Sequence, residues 1–221
     1  MPHPEPPPGN YRAPQRLSLP LDEAVFPWLG PLLDAYYRLD QGVAEGIRRE
    51  EKKGRTLACA KGCSSCCRTH KSIPVYPLEL VGLTWSAAEK VGEPLRGALK
   101  QQLRSHSSSD PCPLLVDGIC SVHPLRPMAC RQFNVFGRTC ADDGEDAYYT
   151  RRRDVLTPIA KYTNDALAAT LPFYGVEDAA ERRRLVRSGA VHQLAKVLQE
   201  CSWSPVADKM DDFDRRNPPP G

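Results

Sequence analysis

The segment Cys59-Ala60-Lys61-Gly62-Cys63-Ser64-Ser65-Cys66-Cys67 puts four thiols into nine residues, with Arg68 and Lys71 close behind. Free cysteine is often a small buried hydrophobe, but so dense a group among lysines, serines and glycine is a poor core pattern. Nor is it a regular element. Thiolates are the preferred ligands of soft metals: zinc, Cu(I) and the iron of iron–sulfur clusters. Cys63-x-x-Cys66 lets two thiolates converge on one centre. Adjacent Cys66 and Cys67 diverge instead, so they suit two metals, two corners of a cluster, or one ligand beside one redox thiol.

On the N-terminal side of this block, Leu32, Tyr36, Leu39, Val43 and Ile47 recur at steps of three and four. That spacing makes one apolar stripe and predicts a helix over 31–53, ended by Gly54. On the C-terminal side, Ile73 to Tyr76 is extended at most. Pro77 then opens a helix through Trp85, because proline is tolerated in a first turn. A shorter helix is expected over 93–103, followed by a polar connector to Asp110.

A second cysteine group occupies 111–140. Asp117-Gly118 is a strong hairpin signal that would fold Cys112 back beside Cys120. Pro124 and Pro127 stiffen the path to Cys130, and Pro127 can start a short helix carrying Cys130 and Arg131. Arg126 and Arg131 are candidate cofactor-binding residues: guanidinium groups offset the negative charge of a thiolate site and can donate hydrogen bonds to sulfur. Cys140 is a further candidate ligand. His70 and His123 each stand three residues after a cysteine, within reach of a metal, although a lone histidine there is more often a neighbour than a ligand. Glu79 has no feature that makes it a catalytic base, and no Ser/His/Asp or paired-carboxylate constellation stands out.

Past 145 the chain reads as helical, broken at Thr157-Pro158. Ile159, Tyr162, Ala166 and Leu167 form the inner face of the next helix. A last helix is expected over 177–200, with Val186, Ala190, Leu194, Val197 and Cys201 on its buried stripe, which makes Cys201 structural. The fold class is therefore mostly α: a small helical domain with an irregular cysteine-rich metal-binding core and few or no strands. The absence of a strand–helix repeat argues against Rossmann and TIM-barrel enzymes.

Composition bounds the rest. The 221 residues contain nine cysteines, about four per cent, below the ~8–10% of a disulfide scaffold. Eight of the nine lie between Cys59 and Cys140. Of 22 prolines, nine fall in 1–31 and four in 205–220. Residues 1–20 thus read as a Pro-rich disordered arm, 208–221 as a disordered tail, and 21–207 as one domain with its cysteine site at 59–140. No run of about 18 apolar residues could span a membrane, and the first nine residues do not read as a signal peptide. The expected compartment is the cytoplasm, where thiols stay reduced. A net charge of +3 is too small to argue for nucleic acid, and nothing in the sequence sets an oligomeric state.

The three blocks Cys59-x3-Cys63-x2-Cys66-Cys67, Pro111-Cys112-Pro113-Leu114 with Asp117-Gly118-x-Cys120, and Arg126-Pro127-x-x-Cys130-Arg131 together resemble the YkgJ-type cysteine-cluster family, also called the CxxCxxCC or zinc- or iron-chelating domain. The resemblance covers about 59–133. It implies a bacterial cytosolic protein that binds iron, as an iron–sulfur cluster, or zinc, through Cys63, Cys66, Cys67, Cys112, Cys120 and Cys130, with Cys59 in the leading position. Some relatives resemble flagellin lysine-N-methylase, for which this chain is short. The expectation is an iron–sulfur protein with a redox role and a redox protein partner. A zinc-binding structural or interaction module is the alternative. An enzyme using S-adenosylmethionine is less expected: Cys59-x3-Cys63-x2-Cys66 has the radical spacing, but Ser65 stands where that motif has an aromatic, and methyl transfer to a protein lysine is weaker still.

Overall fold

A computed structural model describes residues 13–140 and 145–218. Its helices are α1 (Pro20–Val25), α2 (Leu29–Lys52), α3 (Ser65–Thr69), α4 (Pro77–Trp85), α5 (Leu95–Ser105), α6 (Met128–Gln132), α7 (Ala147–Thr150), α8 (Ala160–Thr170), α9 (Ala179–Arg187) and α10 (Ser204–Arg216). Strands β1 (Pro74–Val75), β2 (Leu115–Val116), β3 (Ile119–Cys120) and β4 (Lys196–Val197) form two antiparallel pairs of two residues each. The chain is mostly helical, as its patterning requires. No described helix is long and apolar enough to cross a membrane.

Helix α2 is the spine. All five residues of its predicted stripe are buried, because steps of three and four return to one face. One side packs on Tyr76, Leu78, Trp85, Ala166 and Leu167. Gly42 lets α8 approach closely: a Cβ there would lie 2.5 Å from Cβ of Tyr162. A second core joins α5, the β2–β3 hairpin and α10 around Leu83, Leu99, Leu103, Val116, Trp203 and Met210.

Four expectations need correction. The helix expected over 177–200 is α9 only. It stops at Gly189, whose φ of 76° lies in the left-handed region that glycine tolerates. Val197 belongs to β4, opposite Pro74, and Leu194 is exposed. The tail expected to be disordered from Asp208 continues as α10 through Arg216. Met210 is fully buried there, and the acids of α10 meet the bases of α5: Arg96 with Asp214 at 2.7 Å, and Lys100 with Asp211 at 2.9 Å and Asp214 at 2.5 Å. Of the N-terminal arm, residues 13–20 are fixed rather than loose. Arg16 pairs with Glu23 at 2.7 Å and Asp34 at 2.5 Å, and Leu17 and Leu19 pack on the α2 core. The arm's first twelve residues and the tail's last three lie outside the described residues. Finally, the hairpin forms at Asp117-Gly118, but its register sets Cys120 opposite Leu115 rather than Cys112.

Candidate metal centre

Three segments bring the thiols together. Residues 134–137 run between two others. Ala58 N–H donates to the Val135 carbonyl at 2.8 Å and Gly137 N–H to Thr56 at 2.8 Å on one side; Phe136 N–H donates to Asp154 and Leu156 N–H to Asn134, both at 2.8 Å, on the other. This ladder fixes Cys59, whose Sγ accepts the Val135 N–H at 3.2 Å. Short helix α3 carries Cys66 and Cys67. The Cys67 carbonyl accepts the Cys112 N–H at 2.8 Å, which anchors the second block to the first. Helix α6 carries Cys130, and β3 ends in Cys120.

The sulfurs divide into two neighbourhoods. Cys67, Cys112, Cys120 and Cys130 all pack on the core shared by α5 and α10. Cys59 and Cys140 pack on a separate cluster of Val135, Ala147 and Val155. The mutual influence of the thiols crosses this division through Cys66, which acts on both neighbourhoods. Burial pushes Cys59 up to about 11, against the Val135 N–H, and its thiol neighbours are Cys63, Cys66 and Cys140. Burial raises Cys140 too, with Cys63 and Cys66 beside it, while Arg151 opposes the shift by donating to Cys140 Sγ at 3.4 Å. On the other side, the hydrogen bond to Cys112 pushes Cys67 up to about 12, with Cys120 near. Burial, then Cys66, Cys67 and Cys120, raise Cys130 well above the usual thiol range. Burial raises Cys120 against the Val122 N–H. Cys66 stands between the groups; its hydrogen bond with Cys67, then burial, raise it well above the usual thiol range.

Cys59 and Cys140 thus lie on one side, with Cys63 beside them, and Cys67, Cys112, Cys120 and Cys130 on the other, with Cys66 between. All are free, and Cys63 alone among them is exposed. Among the described residues, no group of three or more His, Cys, Asp or Glu side chains is arranged to hold a metal ion. Cys201 is apart from both sets: its thiol donates to the Val197 carbonyl at 3.4 Å, and it packs against the α10 core.

The other candidates have their own partners. His70 Nδ1 is 2.8 Å from Asp146 Oδ2, and its ring stacks on Tyr149. Asp146 also caps α7, so the pair ties the end of α3 to α7. The His123 imidazole accepts a hydrogen bond from Arg126. Partial burial, with Arg126 and Arg131 alongside, pushes its pKa down to about 4. Arg126 favours the Cys120 thiolate. Arg131 donates to Asp40 at 2.7 Å, to the Arg126 carbonyl at 2.9 Å and to the Pro124 carbonyl, and lies 4.1 Å over the Tyr36 ring. Its hydrogen bonds go to oxygen, and they hold the loop that leads into α6.

Glu79 is the residue that sequence reasoning passed over. It is fully buried and accepts the Tyr76 N–H at 3.0 Å and the Met128 N–H at 2.6 Å. Burial pushes its pKa up to about 7 against those two donors. It joins the start of α4 to the start of α6 and so sets where Cys130 stands. A glutamate at the third position after Tyr76 is a capping signal, which would have found half of this clamp.

The fold and site define a mostly helical chain that draws eight free thiols from three segments. No family model, curated protein or solved structure matches the chain.

Proposed function

We propose that the chain is a metal-binding protein that holds iron as an iron–sulfur cluster through its clustered cysteines and has a redox role with a protein partner in the reducing cytoplasm. The observation that carries this is the gathering of free thiols from three segments around Cys66, which hydrogen-bonds with Cys67 and acts on Cys59, Cys120, Cys130 and Cys140. The donor set fits such a group. Buried thiols that raise one another's pKa cannot all ionise without a cation to compensate them, and soft iron or zinc supplies that compensation. A single zinc ion needs four sulfurs about 2.3 Å from its centre. A multi-iron group is instead gripped by thiolates spaced around its corners. Cys59, Cys63, Cys66 and Cys140 would hold one centre and Cys67, Cys112, Cys120 and Cys130 the other. A cluster, when bound, would supply one-electron chemistry; Arg126 and the Val135 N–H would bias the charge on the sulfurs beside them. The likeness of the cysteine blocks to the YkgJ-type family belongs to the same proposal.

Serine substitutions test the ligand assignment. Cys112→Ser and Cys130→Ser are expected to lose at least half of the iron of anaerobically purified protein, and Cys201→Ser to keep it all. Equal iron in all three variants would sink the assignment. Zinc in place of iron, with no visible absorption, would favour a zinc-binding structural module.

A further inference from the structure

A cavity opens beside the second cysteine block. The segment before α1, helix α2 and the 123–131 stretch enclose about 420 Å³, a size typical of small-molecule sites. Its charged lining is Arg16, Asp40, His123, Arg126 and Arg131, with Tyr37 as part of the wall. Two of the three guanidinium groups are neutralised by carboxylates: Arg16 by Glu23 and Asp34, and Arg131 by Asp40. Arg126 pairs with no carboxylate among the described residues. Its one side-chain partner is the His123 imidazole, a neutral acceptor, and its Nε is buried with no hydrogen-bond partner.

The Arg126 Nε has lost its hydration without gaining a partner, and the carboxylate that acts on this guanidinium, Asp40, is already paired with Arg131. The Arg126 fork matches the two oxygens of a carboxylate or phosphate, and charge-assisted bonds of that kind are about twice as strong as neutral ones. We infer that this cavity binds a small oxyanion, the carboxylate or phosphate group of a small molecule, on Arg126. His123 positions the guanidinium by accepting from it, and the Arg131–Asp40 pair closes the far wall. Arg126 also acts on the Cys120 thiol, so anion binding is read directly and independently of iron content.

Calorimetric titration of the full chain with inorganic phosphate and, separately, with benzoate distinguishes the two oxyanion classes. At least one should bind at one site per chain, and Arg126→Met should weaken that binding at least tenfold. Arg184→Met, at an exposed arginine on α9, should change it less than twofold. Phenylglyoxal modification of the unaltered chain, mapped by mass spectrometry, gives a readout that does not depend on the variant folding: the bound anion should protect Arg126 at least fivefold. Saturable binding by neither anion, binding unchanged in a folded Arg126→Met chain, or no protection of Arg126 would overturn the inference.

Discussion

Glu79 joins two segments through a single carboxylate, and burial sets its titration. Its folded-state pKa of about 7 lies above the ordinary 4.5. The folded chain therefore binds a proton that the unfolded chain has released, and the stability this contributes is full below about 4.5 and lost as pH rises through about 7. The difference corresponds to roughly 3 kcal/mol over that window. Urea unfolding between pH 4.5 and 8 should show the unaltered chain losing stability relative to Glu79→Gln, which has no proton to lose. Parallel pH curves for the two would refute the clamp. At this scale the cysteines were the legible part, because their chemistry is written in residue type and spacing. Glu79 was not, because the Met128 N–H it accepts is 49 residues away and burial leaves no mark on a lone glutamate in the sequence.

Among the elements, the crossing of α2 and α8 depends on a missing side chain. An added Cβ at Gly42 would meet Tyr162 at 2.5 Å, whereas one at Gly97 in α5 meets nothing within 4 Å. Gly42→Ala should destabilise by about 1–3 kcal/mol through overpacking. Gly97→Ala should stabilise by about 0.5–1 kcal/mol, since glycine is the poorer helix former. Thermal melts of both variants check the pair, and a neutral Gly42→Ala would mean that the helices do not cross there. The stripe of α2 was legible because it is long and strictly periodic. The run from Val186 to Cys201 keeps helical spacing straight through Gly189, so periodicity alone overran the break. The pairing of β1 with β4 was invisible, because two-residue strands carry no period. Helix α10 looked like a loose tail because only Val206, Ala207 and Met210 of its residues are buried; its charged face makes sense only once α5 lies beside it.

For the molecule as a whole, the helical class and the position of the cysteine blocks followed from patterning and spacing, while the packing of Cys59 and Cys140 on one cluster and of Cys67, Cys112, Cys120 and Cys130 on another did not, because it is a property of the folded chain. The core of α5 and α10 and the small cluster around Val135 and Val155 hold the cysteine-bearing segments, and the thiols adjoin at the seam between them, where Cys66 and Cys67 are hydrogen-bonded. The central claim is that this seam holds iron and sulfide. Its most direct test is a count of iron, zinc and acid-labile sulfide per chain in anaerobically purified protein, with its visible spectrum. The expected result is a brown protein with iron and sulfide in equal, stoichiometric amounts and little zinc; a colourless protein holding only zinc, or no metal, would contradict it.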